Sequence, residues 1–431
     1  MDNIIAKLKD LFPEPLHNRI FLVGGMVRDI LLGVECQDID LAAAIPPQDL
    51  AALGFRLVES KSTPNIYFWF SQELGKVEVT WLPTKDELLN DLKRRDFTIN
   101  AMAMTLDLVL YDPLEGAADL KQRVLRTCSA TSLRDDPARI FRAFRFECDG
   151  WRLDRDAESS LSERDWSGDL KRQPIERFSQ EMLKALAKPD PSRFFRRMLQ
   201  FRIGEGLLPE IFKMPEVPAG PQQHHPEGDL FTHSMQVLER MSLSTPDPTA
   251  RFCALFHDLG KLSTPKELYP KHHGHDYEGS VAAPAFCKRL RLPSALQRAL
   301  QATSKLHNTA NRWHELRDST KIQLALDAQK AGIAPFLPLV VAADCGGTMP
   351  NWESALRVAG LNSAQLGIDP EAYQDGKDFK DGKDSTEDRN RKDDIDSQDE
   401  RDSRGGQGTY KPSDKLQQVI MQRRVAEFRK G

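Results

Sequence analysis

Two aspartates spaced one residue apart are the strongest chemical signal in the sequence. Asp38 and Asp40 flank Ile39, and because side chains alternate along a strand, both carboxylates would point to one face. Their oxygens suit hard divalent cations, and two ions about 3.5–4 Å apart can activate a hydroxyl and neutralise a phosphate. Glu78, on a neighbouring predicted strand, is a candidate third acid. We therefore expect two Mg²⁺ ions here, bound by Asp38 and Asp40.

A pair of glycines precedes these acids by twelve intervening residues. Gly24 and Gly25 would form a turn whose backbone N–H groups, with the start of the following helix, face a triphosphate. Arg28, one turn into that helix, would add a charge-assisted contact. A lone Asp-x-Asp is usually solvated surface, but the glycine turn at this spacing makes the signal for a metal and phosphate site much more specific.

Three arginines recur at every third position of RDDPARIFRAFRF. Arg139, Arg142 and Arg145 would share one broad face of a helix, with apolar residues covering the remainder. Carboxylate acceptors and guanidinium donors can address the Watson–Crick edges of bases. The alternative is an ordinary amphipathic surface helix with solvated arginines. The nearby Asp-x-Asp motif argues against this alternative.

A second cluster of potential metal ligands lies further along the chain. His233, the adjacent His257 and Asp258, and the distant Asp344 combine imidazole with carboxylate. A bound metal would lower the pKa of water for phosphoester hydrolysis. KHHGHDYEG contributes three more histidines, whereas four others are interpreted as ordinary surface or core histidines. The first group is His272, His273 and His275; the second is His224, His225, His307 and His314. The alternative is a catalytically silent helical body.

The hydrophobic pattern changes along the chain from mixed to helical. Strands are predicted at 19–23, QDIDLAAA, 67–70 and 76–82, with a helix after the glycine turn. From Asp135 onward, the spacing is that of helices. Residues 375–409 are charged and nearly free of large apolar groups, so we expect disorder there, as a solvated spacer. The last residues predict a helix that begins near a serine.

Composition indicates a soluble protein of two or three domains. The chain has 431 residues, 40% of them hydrophobic, and no apolar run long enough to cross a membrane. The net charge of −4 contains −5 from residues 375–402, so the remainder is nearly neutral and any RNA footprint must be local. The six cysteines are scattered, which favours reduced thiols and a cytoplasmic location. We expect neither membrane nor DNA as a partner.

The glycine pair and the Asp-x-Asp spacing together resemble the polymerase β nucleotidyltransferase superfamily. LKRRDFTINAMA (92–103), YDPLEGAADL (111–120) and RDDPARIFRAFRF (134–146) narrow this to a close resemblance to bacterial and eukaryotic tRNA nucleotidyltransferases and the related bacterial poly(A) polymerases. The resemblance covers about residues 19–215 and continues more loosely beyond. It implies an enzyme that adds C, C and A to the tRNA 3′ end from CTP and ATP, gripping the acceptor arm.

The resemblance also implies roles for individual residues. The positions that match the amino-acid template for the incoming base are Asp136 and Arg139. Further positions matching nucleotide contacts are Arg95, Asn100, Arg142 and Arg145. The family usually has Glu at the position of Asp135, which is a conservative departure.

The segment after the strand that bears Glu78 is short. WLPTKDELLN alone separates Thr80 from Asp91, whereas enzymes that add the whole CCA have a flexible loop of roughly twenty residues or more. This length resembles the CC-adding subgroup, since a mobile lever would reshape the base pocket from C to A. The alternative is that another segment of the chain reshapes the base pocket.

The histidine cluster resembles the HD phosphohydrolase superfamily. His233 upstream, Gly260-Lys261 after the His-Asp pair and Asp344 downstream carry this resemblance. It implies a second divalent metal, Ni²⁺, Mg²⁺ or Mn²⁺, and a phosphatase or 2′,3′-cyclic phosphodiesterase activity.

The sequence thus predicts an α+β protein with a polymerase β-like head followed by an all-α neck and body that include an HD-type domain. The predicted boundaries are a head at 1–130, a neck at 131–215, an HD-type domain at 216–360, an acidic segment at 361–410 and a helix at 411–431. Besides CC-only addition, the rival functions are poly(A) polymerase, an HD phosphohydrolase with a degenerate head, and a non-catalytic RNA-binding protein.

Overall fold

The computed structural model describes residues 2–36, 38–58, 65–370 and 412–430. These residues form two compact units, residues 1–305 and 306–431. The segment expected to be disordered, 375–409, lies outside the described residues. The finer domain boundaries predicted from the sequence stay predictions.

A seven-stranded mixed sheet forms the centre of the head in the first unit, with strand order β3-β4-β5-β2-β1-β6-β7. The predicted strands at 19–23, 67–70 and 76–82 are confirmed within a residue or two. The strands are β1 (Ile20–Val23), β2 (Ile39–Ala43), β3 (Arg56–Val58), β4 (Ile66–Ser71), β5 (Gly75–Trp81), β6 (Ala103–Thr105) and β7 (Leu110–Tyr111); β8 (Val124–Leu125) pairs with β9 (Arg152–Leu153) separately.

Short helices border this sheet and connect its strands. They are α1 (Asp2–Leu11), α2 (Gly25–Leu32), α3 (Pro47–Ala52), α4 (Leu88–Lys93), α5 (Gly116–Gln122) and α6 (Ser132–Asp135). The core beneath the site joins β1, β2, α4 and β6 through apolar side chains such as Val23, Ala42, Leu92 and Ala103. This packing fixes the strand ends that carry the acids.

The rest of the first unit is helical, as predicted. Its helices are α7 (Ala138–Glu147), α8 (Arg155–Ser162), α9 (Ser167–Lys171), α10 (Ile175–Leu186), α11 (Ser192–Phe201), α12 (Pro209–Lys213), α13 (Leu230–Ser244), α14 (Pro248–Leu255), α15 (His275–Arg289) and α16 (Ser294–Asn311), which runs into the second unit. A cluster of phenylalanine rings joins α7, α10 and α11. The ring centroid of Phe141 lies 4.8 Å from that of Phe178 and 6.2 Å from that of Phe194. Large buried aromatic surfaces of this kind stabilise helix packing.

The second unit is also helical. It contains α17 (Asp318–Ala331), α18 (Leu337–Cys345), α19 (Trp352–Ala359) and α20 (Pro412–Phe428). Helices α17, α19 and α20 pack together, and Arg429 forms a 2.7 Å ion pair with Asp318. The C-terminal helix predicted from the sequence is therefore present. The mixed sheet followed by helices confirms the predicted fold class.

No helix among the described residues is long and apolar enough to cross a membrane. None of the six cysteines, all of which are described, forms a disulfide.

Candidate active site of the head

The paired acids lie at the start of β2, next to the glycine turn. Asp40 is the register partner of Glu78 on the adjacent parallel strand β5, so the two acids lie side by side. Asp38 comes just before β2 and is exposed. Burial raises the pKa of Asp40, and the charges of Glu78 and Asp38 raise it further, while Arg95 opposes them. The acids therefore concentrate negative charge at one strand end.

The glycine turn has a conformation that only glycine adopts readily. Gly24 has φ +69° and ψ −138° and precedes the first turn of α2. A Cβ at Gly24 would lie 2.9 Å from Nη1 of Arg95 and 3.4 Å from Oδ2 of Asp40. The missing side chain thus lets Arg95 and Asp40 approach the same backbone.

Two cavities meet at this point. The first, about 540 Å³, is lined by Asp40, Glu78 and the segment 94–96 on one side and by α7 and α10 on the other. The second, about 530 Å³, contains Asp38, Asp40 and the beginning of α2. Gly25, Asp40 and Arg142 line both cavities. Asp40 is therefore the acid shared by two chambers.

Every head residue selected from the sequence lines one of these cavities. The first contains Gly24, Gly25, Asp40, Glu78, Arg95, Asn100, Asp136, Arg139 and Arg142. The second contains Gly25, Arg28, Asp38, Asp40, Arg142 and Arg145. The predicted constellation is thus assembled in space, although Arg28 and Arg145 are separated from the Asp136–Arg139 pair.

A polar network holds the arginines in place. Arg28 donates through Nη1 to Oδ1 of Asn100 at 2.7 Å, and Asn100 donates through Nδ2 to Oδ1 of Asp96 at 3.1 Å. Arg142 lies with Nε 2.8 Å from Oδ2 of Asp96. Arg95 forms a 2.8 Å ion pair with buried Asp91. These contacts fix the orientation of the three arginine side chains before any anionic ligand binds.

Three carboxylates offer the oxygen donors that Mg²⁺ prefers, and their mutual repulsion fits a site for divalent cations. The ammonium group of Lys76 forms an ion pair with Glu78, with Nζ 2.8 Å from Oε2. Among the described residues, the head acids are not in the groups whose ligand atoms all lie within 4.8 Å of one another. Those groups lie in the helical part of the chain.

Asp258 is the centre of the second predicted site. The Nε2 atoms of His257, His275 and His233 lie 3.2, 3.3 and 3.6 Å from its carboxylate oxygens. Lys261 Nζ is 2.7 Å from Oδ2 of Asp258 and donates to the carbonyl of Ala219. The burial of Asp258 raises its pKa, but His257 and Lys261 outweigh this and hold it well below the usual range.

The opposite ring nitrogens of these histidines all contact oxygens that can only accept. Nδ1 of His233 is 2.7 Å from Oε1 of Glu227, Nδ1 of His257 is 2.8 Å from the carbonyl of Ala254, and Nδ1 of His275 is 2.7 Å from that of His272. Nδ1 must therefore carry a proton in each ring, so Nε2 is the atom turned toward Asp258 and the one that could bind a metal ion once it is deprotonated. This is the orientation that second-sphere contacts give to metal-binding histidines.

Sequence analysis missed two residues near these sites and gave a third, His225, no role. Arg177 binds Asp136, and Glu227 accepts hydrogen bonds from both His233 and His225, a histidine we had interpreted as ordinary. The spacing of His-Pro-Glu-Gly-Asp before His233 was an available signal for Glu227. Asp344 lies in α18 of the second unit, where Asn311 donates to its Oδ2 at 2.8 Å. Its place in the ligand set stays a prediction.

A mixed sheet with a glycine turn, converging acids and a flanking arginine helix defines a nucleotidyltransferase. The family model "Poly A polymerase head domain" matches residues 20–81 and 70–126, "Probable RNA and SrmB- binding site of polymerase A" matches 164–214, and "HD domain" matches 230–331. The "Multifunctional CCA protein" of Methylococcus capsulatus is 37% identical over 351 residues, covering 76% of this chain and 82% of the relative. The chain therefore belongs to the family of CCA-adding tRNA nucleotidyltransferases, and it carries an HD domain.

Solved structures share the fold. One described as "The structure of CCA-adding enzyme apo form I" has a TM-score of 0.63 and 22% identity, over 100% of this chain and 94% of that one. A Thermotoga maritima CCA-adding enzyme, solved with tRNA, has a TM-score of 0.55 and 23% identity, over 88% of this chain and 87% of that one. These relatives favour CCA addition over the CC-only, poly(A) and phosphohydrolase-only alternatives.

Proposed function

We propose that the protein adds C, C and A in turn to the 3′ end of tRNA, with the base of CTP or ATP in the first cavity and the triphosphate reaching the second. The observation that carries this proposal is the position of Asp40, which lines both cavities. The α-phosphate would then lie beside the acids, between the base-reading groups and the arginines.

Asp136 and Arg139 would read the incoming base. A carboxylate accepts from the amino group of cytosine or adenine, and a guanidinium donates to the adjacent ring nitrogen. Guanine and uracil present the reverse pattern on that edge, so the same pair would reject them. Arg139 suits this because its Nη atoms donate to Ser132 and to the backbone of Arg94 and Arg95, which fixes the group.

Arg28, Arg142 and Arg145 would bind the phosphates from the second cavity, together with the backbone at Gly25. Asp38 and Asp40 would hold the two Mg²⁺ ions, with Glu78 as a further ligand. When bound, these ions supply charge neutralisation and lower the pKa of the attacking hydroxyl. The tRNA 3′ oxygen forms a bond to the α-phosphorus as the bond to the β-phosphate breaks, and pyrophosphate leaves. The residues contribute mainly positioning and charge.

The proposed RNA partner is the tRNA acceptor arm, held by the helical part of the chain through shape and phosphate contacts. The proposed compartment is the cytoplasm, consistent with six cysteines outside disulfides.

Primer extension tests this proposal. A tRNA transcript lacking its last three nucleotides would receive CTP, ATP or both, with Asp40→Asn and the exposed-surface change Asp49→Asn as paired variants. We expect full CCA with both nucleotides and a loss of about two orders of magnitude or more for Asp40→Asn alone. Products ending at CC would establish the CC-only alternative, and unlimited A addition would establish a poly(A) polymerase.

The HD cluster supports a second activity, hydrolysis of phosphoesters. We propose His233, His257 and Asp258 as metal ligands, with His275 beside them and Asp344 as the ligand inferred from the sequence; Ni²⁺, Mg²⁺ and Mn²⁺ are the candidate ions. The orientation of the three imidazoles toward Asp258 carries this proposal. The test is hydrolysis of p-nitrophenyl phosphate and of a 2′,3′-cyclic nucleotide with each metal. Activity that survives His257→Ala would contradict the assignment.

A further inference from the structure

The two base-reading groups are tethered to different parts of the protein. Arg139 donates through Nη1 to Oγ of Ser132 at 2.7 Å and through Nη2 to the carbonyl of Arg94 at 2.6 Å. Asp136 is instead bound by Arg177, which lies in α10. A relative shift of α10 and the segment at Arg94 would therefore change how the two groups present themselves to a base.

The contact between Arg177 and Asp136 is a two-pronged ion pair. Nη1 donates to Oδ1 at 2.7 Å and Nη2 donates to Oδ2 at 2.6 Å. Arg177 is itself held by Gln173, whose Oε1 accepts from Nη1 at 2.9 Å. A planar fork that grips both oxygens fixes the rotation of the carboxylate, which a single point charge would leave free.

The same contact limits the acceptor capacity of Asp136. A carboxylate has about four lone-pair directions. Arg177 uses two, and the backbone N–H of Ala138 uses one on Oδ1 at 3.3 Å. The remaining direction belongs to Oδ2, the oxygen that lies 3.7 Å from Nε of Arg139. One acceptor beside one donor matches the edge of cytosine or adenine and opposes that of uracil or guanine.

We infer that Arg177 is a positioning residue for base selection, which orients the Asp136 carboxylate so that only one acceptor faces the base. The inference rests on the proposed function and extends it to a residue outside the base-reading pair. Arg177 lines the first cavity together with Gln180, Glu181 and Lys184 of the same helix, so this helix borders the space assigned to the base.

Replacing Arg177 tests the inference through selectivity as well as rate. Arg177→Gln removes the fork, and Arg177→Lys keeps the charge without the two-pronged geometry. Arg172→Gln is the matched control, because Arg172 is 73% exposed, pairs with Asp169 and lies outside both cavities. Each protein would be assayed with CTP, UTP, ATP and GTP separately, on tRNA lacking CCA and on tRNA ending in CC.

We expect Arg177→Gln to lower kcat/KM for CTP and ATP by at least about tenfold and to reduce the CTP-over-UTP preference by a similar factor. Compared with Arg177→Gln, Arg177→Lys should regain more of the kcat/KM than of the CTP-over-UTP preference. Arg172→Gln should match the wild type in both quantities. An equal loss with all four nucleotides would overturn the inference, since it would indicate a phosphate contact or a purely structural role. So would an unchanged preference.

Two controls keep the outcomes distinct. The melting temperature of each variant shows whether it folds. If Arg177→Gln does not fold, the CTP-over-UTP preference of Arg177→Lys decides the question. A preference equal to that of the wild type would then overturn the inference. Failure of the wild type to add C and A would instead refute the proposed function.

Discussion

Nε of Arg142 lies 2.8 Å from Oδ2 of Asp96, which joins helix α7 to the segment that precedes the Asn100 network. Asp96 is only 7% exposed, and its Oδ1 accepts from the backbone of Phe97 and from Asn100. Although burial raises the pKa of Asp96, Arg142 and these hydrogen bonds lower it overall. This acid therefore organises the junction of the two cavities while remaining ionised.

Asp96→Asn should lower the free energy of unfolding by about 1–3 kcal/mol, because it weakens a buried, charge-assisted network. Since the pKa of Asp96 is lower in the folded state, its stabilisation is present above the unfolded pKa of about 3.9 and is lost as pH falls through the folded pKa. Denaturant unfolding of both proteins between neutral and acid pH would measure this. The difference should shrink below about pH 4; a constant difference would contradict the linkage. Asp49→Asn, at an exposed position, is the control.

Gly24→Ala should abolish activity beyond its effect on stability. Gly33 has left-handed helical backbone angles (φ +69°, ψ +24°), where alanine should cost roughly 1–2 kcal/mol. Gly24, with ψ −138°, lies in a region that almost only glycine occupies, so alanine there should cost more. A Cβ at Gly24 also meets Arg95 and Asp40, whereas one at Gly33 meets nothing within 4 Å. Melting temperatures should fall in both variants, and only Gly24→Ala should lose nucleotide addition. Equal activities would show that the close approach is unimportant.

Arg28→Gln should weaken CTP and ATP alike, because Arg28 lines the cavity assigned to the phosphates and not the one that reads the base. Loss of a charge-assisted hydrogen bond of about 1.5–3 kcal/mol corresponds to roughly a tenfold to hundredfold rise in KM. Steady-state kinetics with each nucleotide would test this, with exposed Arg19→Gln as control. A change in the ratio of the KM values for CTP and ATP would argue against assigning the base to the first cavity and the phosphates to the second.

Glu227→Gln should weaken metal binding at the HD cluster by about 10–100-fold while leaving CMP addition intact. Its carboxylate fixes the tautomer of His233, and an amide in its place could present an N–H to the ring instead. Calorimetric titration with Mn²⁺ and Ni²⁺ would measure the affinity, with exposed Glu216→Gln as the matched control. Unchanged affinity would mean that the ring needs no such orientation.

The strands and the residues of the head site were predictable because local patterns encode them. Alternation of polar and apolar residues located β2, and the fixed spacing of the glycine pair and the acids located the end of the sheet where we propose the metal site. The register of Asp40 with Glu78 was not predictable, since parallel pairing joins distant segments. Arg177 was invisible for the same reason: within its own helix it is simply a polar position, and only the packing of α10 on α7 brings it to Asp136.

The brief connection between β5 and α4 has a consequence for how the enzyme changes from cytosine to adenine. Leu82 and Leu88 are both buried in the same apolar cluster, so residues 83–87 are anchored at each end. Five residues span at most about 18 Å when extended, and with both ends pinned they have little room to swing. The change from cytosine to adenine would therefore have to come from another part of the protein than this connection.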